Sequence, residues 1–433
     1  MAIDWFKNLF SIKKEKAILP VEPGLYHALK EADGMFTRFH LRVERDGTGM
    51  LIANATATAR LSSSGVIIAK GLLDGKDEDT ILADLSAHFY GAKKDVMRAD
   101  ITKLTIMIKD IITPSDTYPV FNLEDAALSP YSAQLIAPFQ AAVDLAPAEQ
   151  LIPILDKLWD VGIPHAILRA PALPTKSDLV HAIEHAEDLG MIAGIRARAS
   201  DLIEDDNLLH EITMAGVDHV TIIFAAADQK IHDALLGEGD HAAAIKVLKW
   251  LEDNQVCAVT EVPLVQETLD VLDITVDQLI SLGADNISFV AYPTTDEGLA
   301  QEEGLFTASG MTQVATTVEE FANQAQARFM WNPPAQREPK LTLMEQVTRG
   351  PRCSGDVAIR VEADGSVIPP RGPYRSAGNI LHDSWDSIWN DEVFNIYRER
   401  VEAPTHCDVC PGLVTCAADC PREPAGWSQE RVS

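Results

Sequence analysis

Apolar and polar positions alternate with period two from Phe36 to Val43 and again from Met50 to Ala53, with Asp46-Gly47 between them, a pairing that predicts two strands and a tight hairpin. Helical periodicity follows over Thr58 to Leu73, Asp77 to Phe89 and Lys93 to Ile112, stopped in turn by Asp74-Gly75, Gly91 and Pro114. A hairpin with three helices predicts a small winged-helix-like α+β domain over residues 17–112, whose edge strand can take up an extended peptide. Pro114, Pro119, Pro130 and Pro138 then break the pattern, so 113–139 reads as a linker.

Beyond it the pattern changes. Short apolar runs at Ala141 to Leu145, Ala166 to Arg169, Ile192 to Arg196, His219 to Phe224, Ala258 to Pro263, Asn286 to Ala291 and Phe329 to Trp331 are strand candidates. Amphipathic stretches separate them, among them Pro147 to Asp160, Ser177 to Leu189, Asn207 to Ala215, Ala242 to Asn254 and Thr275 to Leu282. This alternation predicts an α/β fold with a parallel sheet over 140–345, a full or partial (β/α) barrel whose functional groups sit at the C-terminal strand ends. Residues 346–433 hold a further hairpin around Ala363-Asp364-Gly365, an amphipathic helix Trp385 to Arg398, and most of the cysteines.

The chain has 433 residues and a net charge of -29, from 36 Lys plus Arg against 65 Asp plus Glu, which disfavours nucleic acid and anionic lipid as partners. No run reaches the roughly twenty apolar residues of a spanning helix, so the expectation is a soluble, cytoplasmic protein. Residues 1–16 carry Trp5, Phe6, Leu9 and Phe10 with Lys7, Lys13, Lys14 and Lys16. Such an amphipathic segment reads as docking on its own protein or a partner, with peripheral membrane contact as the alternative.

Of six cysteines, four stand at Cys407-x2-Cys410-x5-Cys416-x3-Cys420-Pro421. Thiolates at these spacings converge on metal as the backbone loops round them, and no secretory signal argues for disulfides instead. The Cys-x3-Cys-Pro ending favours iron–sulfur over zinc, and Cys353 is a natural further ligand.

With its Asp364-Gly365-Ser366-Val367-Ile368-Pro369 hairpin, the Gly378-Asn379-Ile380 turn and the Ile388-Trp389 helix, this cysteine pattern resembles the SPASM extension of radical SAM peptide-modifying enzymes, which carries auxiliary [4Fe-4S] clusters. By that resemblance Cys407, Cys410 and Cys416 serve one cluster and Cys353 with Cys420 another. The chain departs from the family where Pro370 replaces a cysteine and where none follows Cys420. One 4Fe-4S cluster is therefore expected, and zinc in a rearranged site using Cys353 or His406 is the alternative.

The family's Cys-x3-Cys-x2-Cys loop after the first barrel strand is absent: Ala141 to Leu145 runs into Ala146-Pro147-Ala148-Glu149, and no cysteine precedes Cys257. The Gly-Gly-Glu-Pro segment after the second strand is replaced by Arg169-Ala170-Pro171-Ala172. The resemblance thus implies a barrel that no longer cleaves SAM. The N-terminal domain resembles the PqqD-like peptide-recognition element of these systems, through the strand into Asn54-Ala55-Thr56, the Leu72-Leu73-Asp74-Gly75 turn and the helix from Asp77. It implies a precursor peptide or a partner maturase as ligand. The rival to this scaffold reading is a redox enzyme or electron carrier using the remaining cluster. His181-Ala182-Ile183-Glu184-His185 matches an inverted zinc-protease pattern but lies on a crossover helix, Cys257 reads as a core thiol, and Gly237-Glu238-Gly239 reads as a turn.

Overall fold

The computed structural model describes residues 20–112 and 135–395, apart from 33–34, 54–56, 90, 170–175, 206, 285, 295, 308–309, 312–313, 315, 319, 321–327, 333, 354–357 and 371–373. The amphipathic 1–16 segment, most of the linker, Asn54-Ala55-Thr56, Ala170-Pro171-Ala172 and the cysteines from Cys407 to Cys420 lie outside the described residues. The chain divides into two units, Met1–Leu123 and Glu124–Ser433.

In the first unit β1 (Gly24–Ala32), β2 (Met35–Val43), β3 (Gly49–Ala53) and β4 (Ala57–Leu61) form an antiparallel sheet in that order. Three helices follow: α1 (Ser63–Leu73), α2 (Glu78–His88) and α3 (Lys94–Ile112). The β2–β3 hairpin stands where the alternation puts it, with Gly47 at φ 83° and Thr48 N–H donating to Asp46 Oδ1 at 2.9 Å. Two readings change. The segment from Thr58 is not helical until Ser63, because Ala57 to Leu61 pairs with β3 and Ser62 then caps α1 by accepting from Gly65 N–H. β2 and β3 are both interior, so among the described residues the outer strands of the sheet are β1 and β4. Helix α1 is apolar nearly all round for a reason: Val66, Ala69 and Leu73 meet Phe39, Leu41 and Leu51 of the sheet, while Ile67 and Ile68 meet Ile81, Leu82 and Ile101 of α2 and α3.

In the second unit the sheet order is β11-β10-β9-β8-β7-β6-β5-β12-β13. The strands are β5 (Gln140–Asp144), β6 (His165–Arg169), β7 (Ile192–Ala197), β8 (His219–Ile223), β9 (Cys257–Leu264), β10 (Asn286–Ala291), β11 (Arg328–Trp331), β12 (Ala358–Val361) and β13 (Val367–Ile368). From β5 to β11 every neighbour is parallel, and β12 returns to lie parallel on β5 before turning back into β13. Among the described residues no pairing closes β11 onto β13, so the sheet is open rather than a complete barrel.

The crossover helices are α4 (Ala148–Asp160), α5 (Lys176–Leu189), α6 (Ala199–Ile203), α7 (Leu208–Met214), α8 (Gln229–Leu236), α9 (Asp240–Asp253), α10 (Gln266–Leu269), α11 (Leu272–Ser281) and α12 (Glu297–Glu303), followed by α13 (Leu343–Arg349) and α14 (Trp385–Trp389). One sheet face is aliphatic: Val143, Leu168, Ile195, Val220 and Ile287 pack with Leu151, Ile183, Val247 and Leu279 of α4, α5, α9 and α11. Burial of each such side chain stabilises by about 1.5–3 kcal/mol. α14 fastens the start of the sheet, since Trp385 and Trp389 donate their indole N–H groups to the carbonyls of Ile136 (2.7 Å) and Leu135 (2.9 Å). No helix among the described residues is long and apolar enough to cross a membrane.

Candidate functional site

Side chains alternate across a strand, so the face turned away from the helices receives the residues between the aliphatic ones. Those include Asp144, Arg169, Arg196, Thr221, Glu261 and Ser288, joined from β12 by Arg360. In each of β6, β7 and β9 a charged side chain interrupts an otherwise apolar run, and Arg169, Arg196 and Glu261 are buried, at 4%, 3% and 0% exposure. Such charges persist only when paired.

Arg196 and Glu261 form a two-pronged ion pair, Nε to Oε2 at 3.0 Å and Nη2 to Oε1 at 2.6 Å. Burial pulls the Arg196 guanidinium down, but the Glu261 carboxylate outweighs it and holds the group above its ordinary value. Asn332, just past β11, donates to Ser288 Oγ at 2.6 Å and reaches Glu261 Oε2 at 3.5 Å. Arg360 meets Asp144 at 2.5 Å. Burial, with the neighbouring charges of Arg196 and Arg360, pushes Arg169 down to about 9, which leaves it charged at neutral pH. Tyr292, also fully buried, has its phenol pushed up by burial and by Glu261, and its hydroxyl has no hydrogen-bond partner among the described residues.

The two arginines have a common target. Arg196 Nη1 donates to the carbonyl of Thr348 at 2.7 Å and Nη2 to that of Val347 at 3.2 Å. Arg169 donates to the carbonyl of Arg352 at 2.7 Å and to that of Arg349. These carbonyls end α13 or follow it directly, where a helix leaves its last C=O groups unsatisfied and partly negative. α13 is built for the place. Thr342 and Glu345 cap its start reciprocally, and Gly350 ends it at φ 66°, ψ -165°. Between these ends Val347 packs among Ile223, Val265, Val290 and Tyr292. The C-terminal strand ends are therefore engaged by the chain's own helix.

The end of β5, where a three-thiolate cluster would be held, does not fit one: it carries no thiol, Asp144 is ion-paired to Arg360, and Leu145 N–H donates to the Arg169 carbonyl at 3.1 Å. Cys353 is buried against Ala142 and Ala358, at the start of the segment leading into β12. Cys407, Cys410, Cys416 and Cys420 are outside the described residues, so their convergence on Cys353 stays an expectation; as a donor set, their thiolates suit iron–sulfur or zinc. Cys257 opens β9 and is partly exposed, with Asn286 Nδ2 at 3.9 Å from its sulfur. On α5, His185 Nε2 lies 2.7 Å from Asp156 Oδ1 of α4, and among the described residues no three His, Cys, Asp or Glu side chains group as metal ligands. Gly237-Glu238-Gly239 is the turn between α8 and α9.

At the other end of the polar face His165 and His219 meet Nε2 to Nε2 at 2.7 Å. Gly194 makes room, since a Cβ there would stand 2.2 Å from the His219 ring. Burial lowers His219 to about 4. Its protonation is thus resisted in the folded state and free in the unfolded one, so the stability it contributes is complete above pH 6.5 and is lost as pH falls from 6.5 toward 4. The unfolding free energy is expected to fall over that window by up to about 1.4 kcal/mol per pH unit, and His219→Gln should flatten the slope. An unchanged slope in His219→Gln would assign it to other groups.

No family model matches the chain. It is 22% identical over 270 residues to the PqqA peptide cyclase of Bradyrhizobium diazoefficiens, covering 59% of this chain and 68% of that protein. Against the PqqA peptide cyclase of Streptomyces rochei it is 22% identical over 272 residues, 61% of this chain and 72% of the relative. Among solved structures, Streptococcus suis SuiB bound to its precursor peptide SuiA superposes with a TM-score of 0.56 at 13% identity, over 94% of this chain and 99% of that one. SuiB bound to S-adenosylmethionine gives 0.54 at 15% identity, again over 94% and 99%. At these identities the likeness to SuiB establishes the fold, and with the described elements it shows that the chain has the mixed α/β architecture and large parallel sheet of that protein.

Proposed function

We propose that this protein binds a peptide within a radical-SAM-type peptide-modification system, carries one cysteine-ligated iron–sulfur cluster in its C-terminal region, and does not itself cleave S-adenosylmethionine. The observation that carries the reading is the engagement of the strand ends by α13, where Arg169 and Arg196 are committed to the chain's own carbonyls. The missing thiolate triad after β5 supports it from the sequence. The relatives' names, a peptide cyclase and a maturase seen with its precursor peptide, support a peptide as the partner.

The peptide would add at β1. Among the described residues this strand is an edge, α3 packs against it, and Leu29 of β1 with Val96 and Ile106 of α3 are more than half exposed, at 53%, 57% and 54%. An edge strand offers backbone donors and acceptors for β-augmentation, and the apolar side chains supply selectivity. The partner is a precursor peptide, and a partner maturase presenting an extended segment is the alternative. Calorimetry of the full chain with precursor peptides is expected to give a Kd on the order of micromolar. Anaerobically purified protein should contain iron and acid-labile sulfide that Cys410→Ala loses, yet dithionite and SAM should yield no 5′-deoxyadenosine above a protein-free control. Stoichiometric 5′-deoxyadenosine would overturn the non-cleaving reading, and absence of heat with every peptide would favour the redox carrier.

A further inference from the structure

The chain is strongly acidic, yet one pocket gathers its basic side chains. It lies beside α13, has a volume of about 500 Å³, and among the described residues is lined by Arg337, Lys340, Arg349, Arg352 and Arg360 against one carboxylate, that of Glu338, with proline walls and Tyr374. Three of the guanidiniums surround one ring: Arg352, Arg360 and Arg349 stand 5.1, 5.7 and 5.8 Å from the Tyr374 centroid. Like charges drawn together in this way repel unless something neutralises them.

Part of the neutralisation is built in. Arg337 is held by both oxygens of Glu303 at 2.6 and 2.7 Å, Arg360 by Asp144 at 2.5 Å, and the Tyr374 hydroxyl donates to Glu362 at 2.6 Å. None of those three carboxylates lines the pocket. Arg349 reaches Glu338 only at 3.3 Å, with the two side chains 35% and 50% exposed, a pairing worth little in water. The backbone that carries Arg349 and Arg352 is fixed from beneath, because Arg169 holds both of their carbonyls. The buried arginine is therefore a positioning residue for two others.

We infer that this pocket binds a small organic anion, with a carboxylate or phosphate head received by Lys340 and Arg349 and an apolar body against the proline walls. Guanidinium forks match both heads, and the volume is that of a small-molecule site. The inference does not depend on the peptide reading.

Calorimetry of the full chain at low ionic strength with phenyl phosphate, benzoate and benzamidine tests it, since the three share a ring and differ in the head. One or both anions should bind saturably, and which of them does names the head; benzamidine should not bind. Affinity for the bound anion should fall at least fivefold in 0.5 M salt and at least tenfold in the double variant R349Q/K340Q, with K249Q on α9 unchanged. Both substituted side chains are on the surface, and an unaltered denaturation midpoint shows that the variant folds. Binding of benzamidine as tight as that of the anions, no binding of either anion, salt-insensitive binding by the native chain, or native affinity in R349Q/K340Q would each overturn the proposal.

Discussion

Glu261→Ala is expected to lower the stability of the second unit by about 3–5 kcal/mol, because it leaves the Arg196 guanidinium charged and buried with only carbonyls for partners. Arg196 is 3% exposed and cannot swing into water without drawing α13 with it. The same substitution strips Asn332 of its reach to Glu261, though Ser288 Oγ still accepts from it. The cost belongs to the unpaired charge and not to the pair. Replacing both partners, as in Arg196→Met with Glu261→Leu, should therefore recover most of the loss, since paired charges and well-packed apolar groups are often near parity. Chemical denaturation of the single and double variants measures this. A Glu261→Ala midpoint within experimental error of the native value would mean that the pair is not buried in solution.

The strands of the second unit were legible because each is a short apolar run between amphipathic stretches, and all seven parallel strands from β5 to β11 lie where those runs predict. What the runs hid was their interruptions. Arg169, Arg196 and Glu261 each sit inside an apolar strand, and a charge in such a place was the available signal for a polar inner face. The short helices, α13 among them, carry too few residues to show a period. The role of α13 rests on partners more than 150 positions away in sequence, as between Arg196 and Thr348, |i−j| of 152, which no local pattern encodes. In the first unit β4 merged into the helical period of α1 because Ala57, Ala59 and Leu61 are as compatible with a helix as with a strand. β1, Gly24–Ala32, shows no strict alternation of apolar and polar residues, so the pattern does not mark it as the outer strand that it is among the described residues.

Gly350→Ala is expected to be as damaging as Glu261→Ala although it adds one carbon. Gly350 stands at φ 66°, ψ -165°, a region essentially closed to residues with a Cβ and costing about 1–3 kcal/mol to occupy. The added Cβ would also lie 2.3 Å from Arg196 Nη2 and 2.6 Å from its Cζ. That guanidinium is the one group that cannot give way, being clamped between Glu261 and the carbonyls of Val347 and Thr348. Either the end of α13 rises from the strand ends or the ion pair opens, so the total loss should reach about 3 kcal/mol or more, strain and unpaired charge together. The two costs separate in a cycle. With Arg196→Met and Glu261→Leu already in place, Gly350→Ala should keep only its backbone penalty, and the difference between backgrounds is the coupling of α13 to the buried pair. If Gly350→Ala costs the same in both backgrounds, the glycine serves its turn alone and the arginine does not hold the helix.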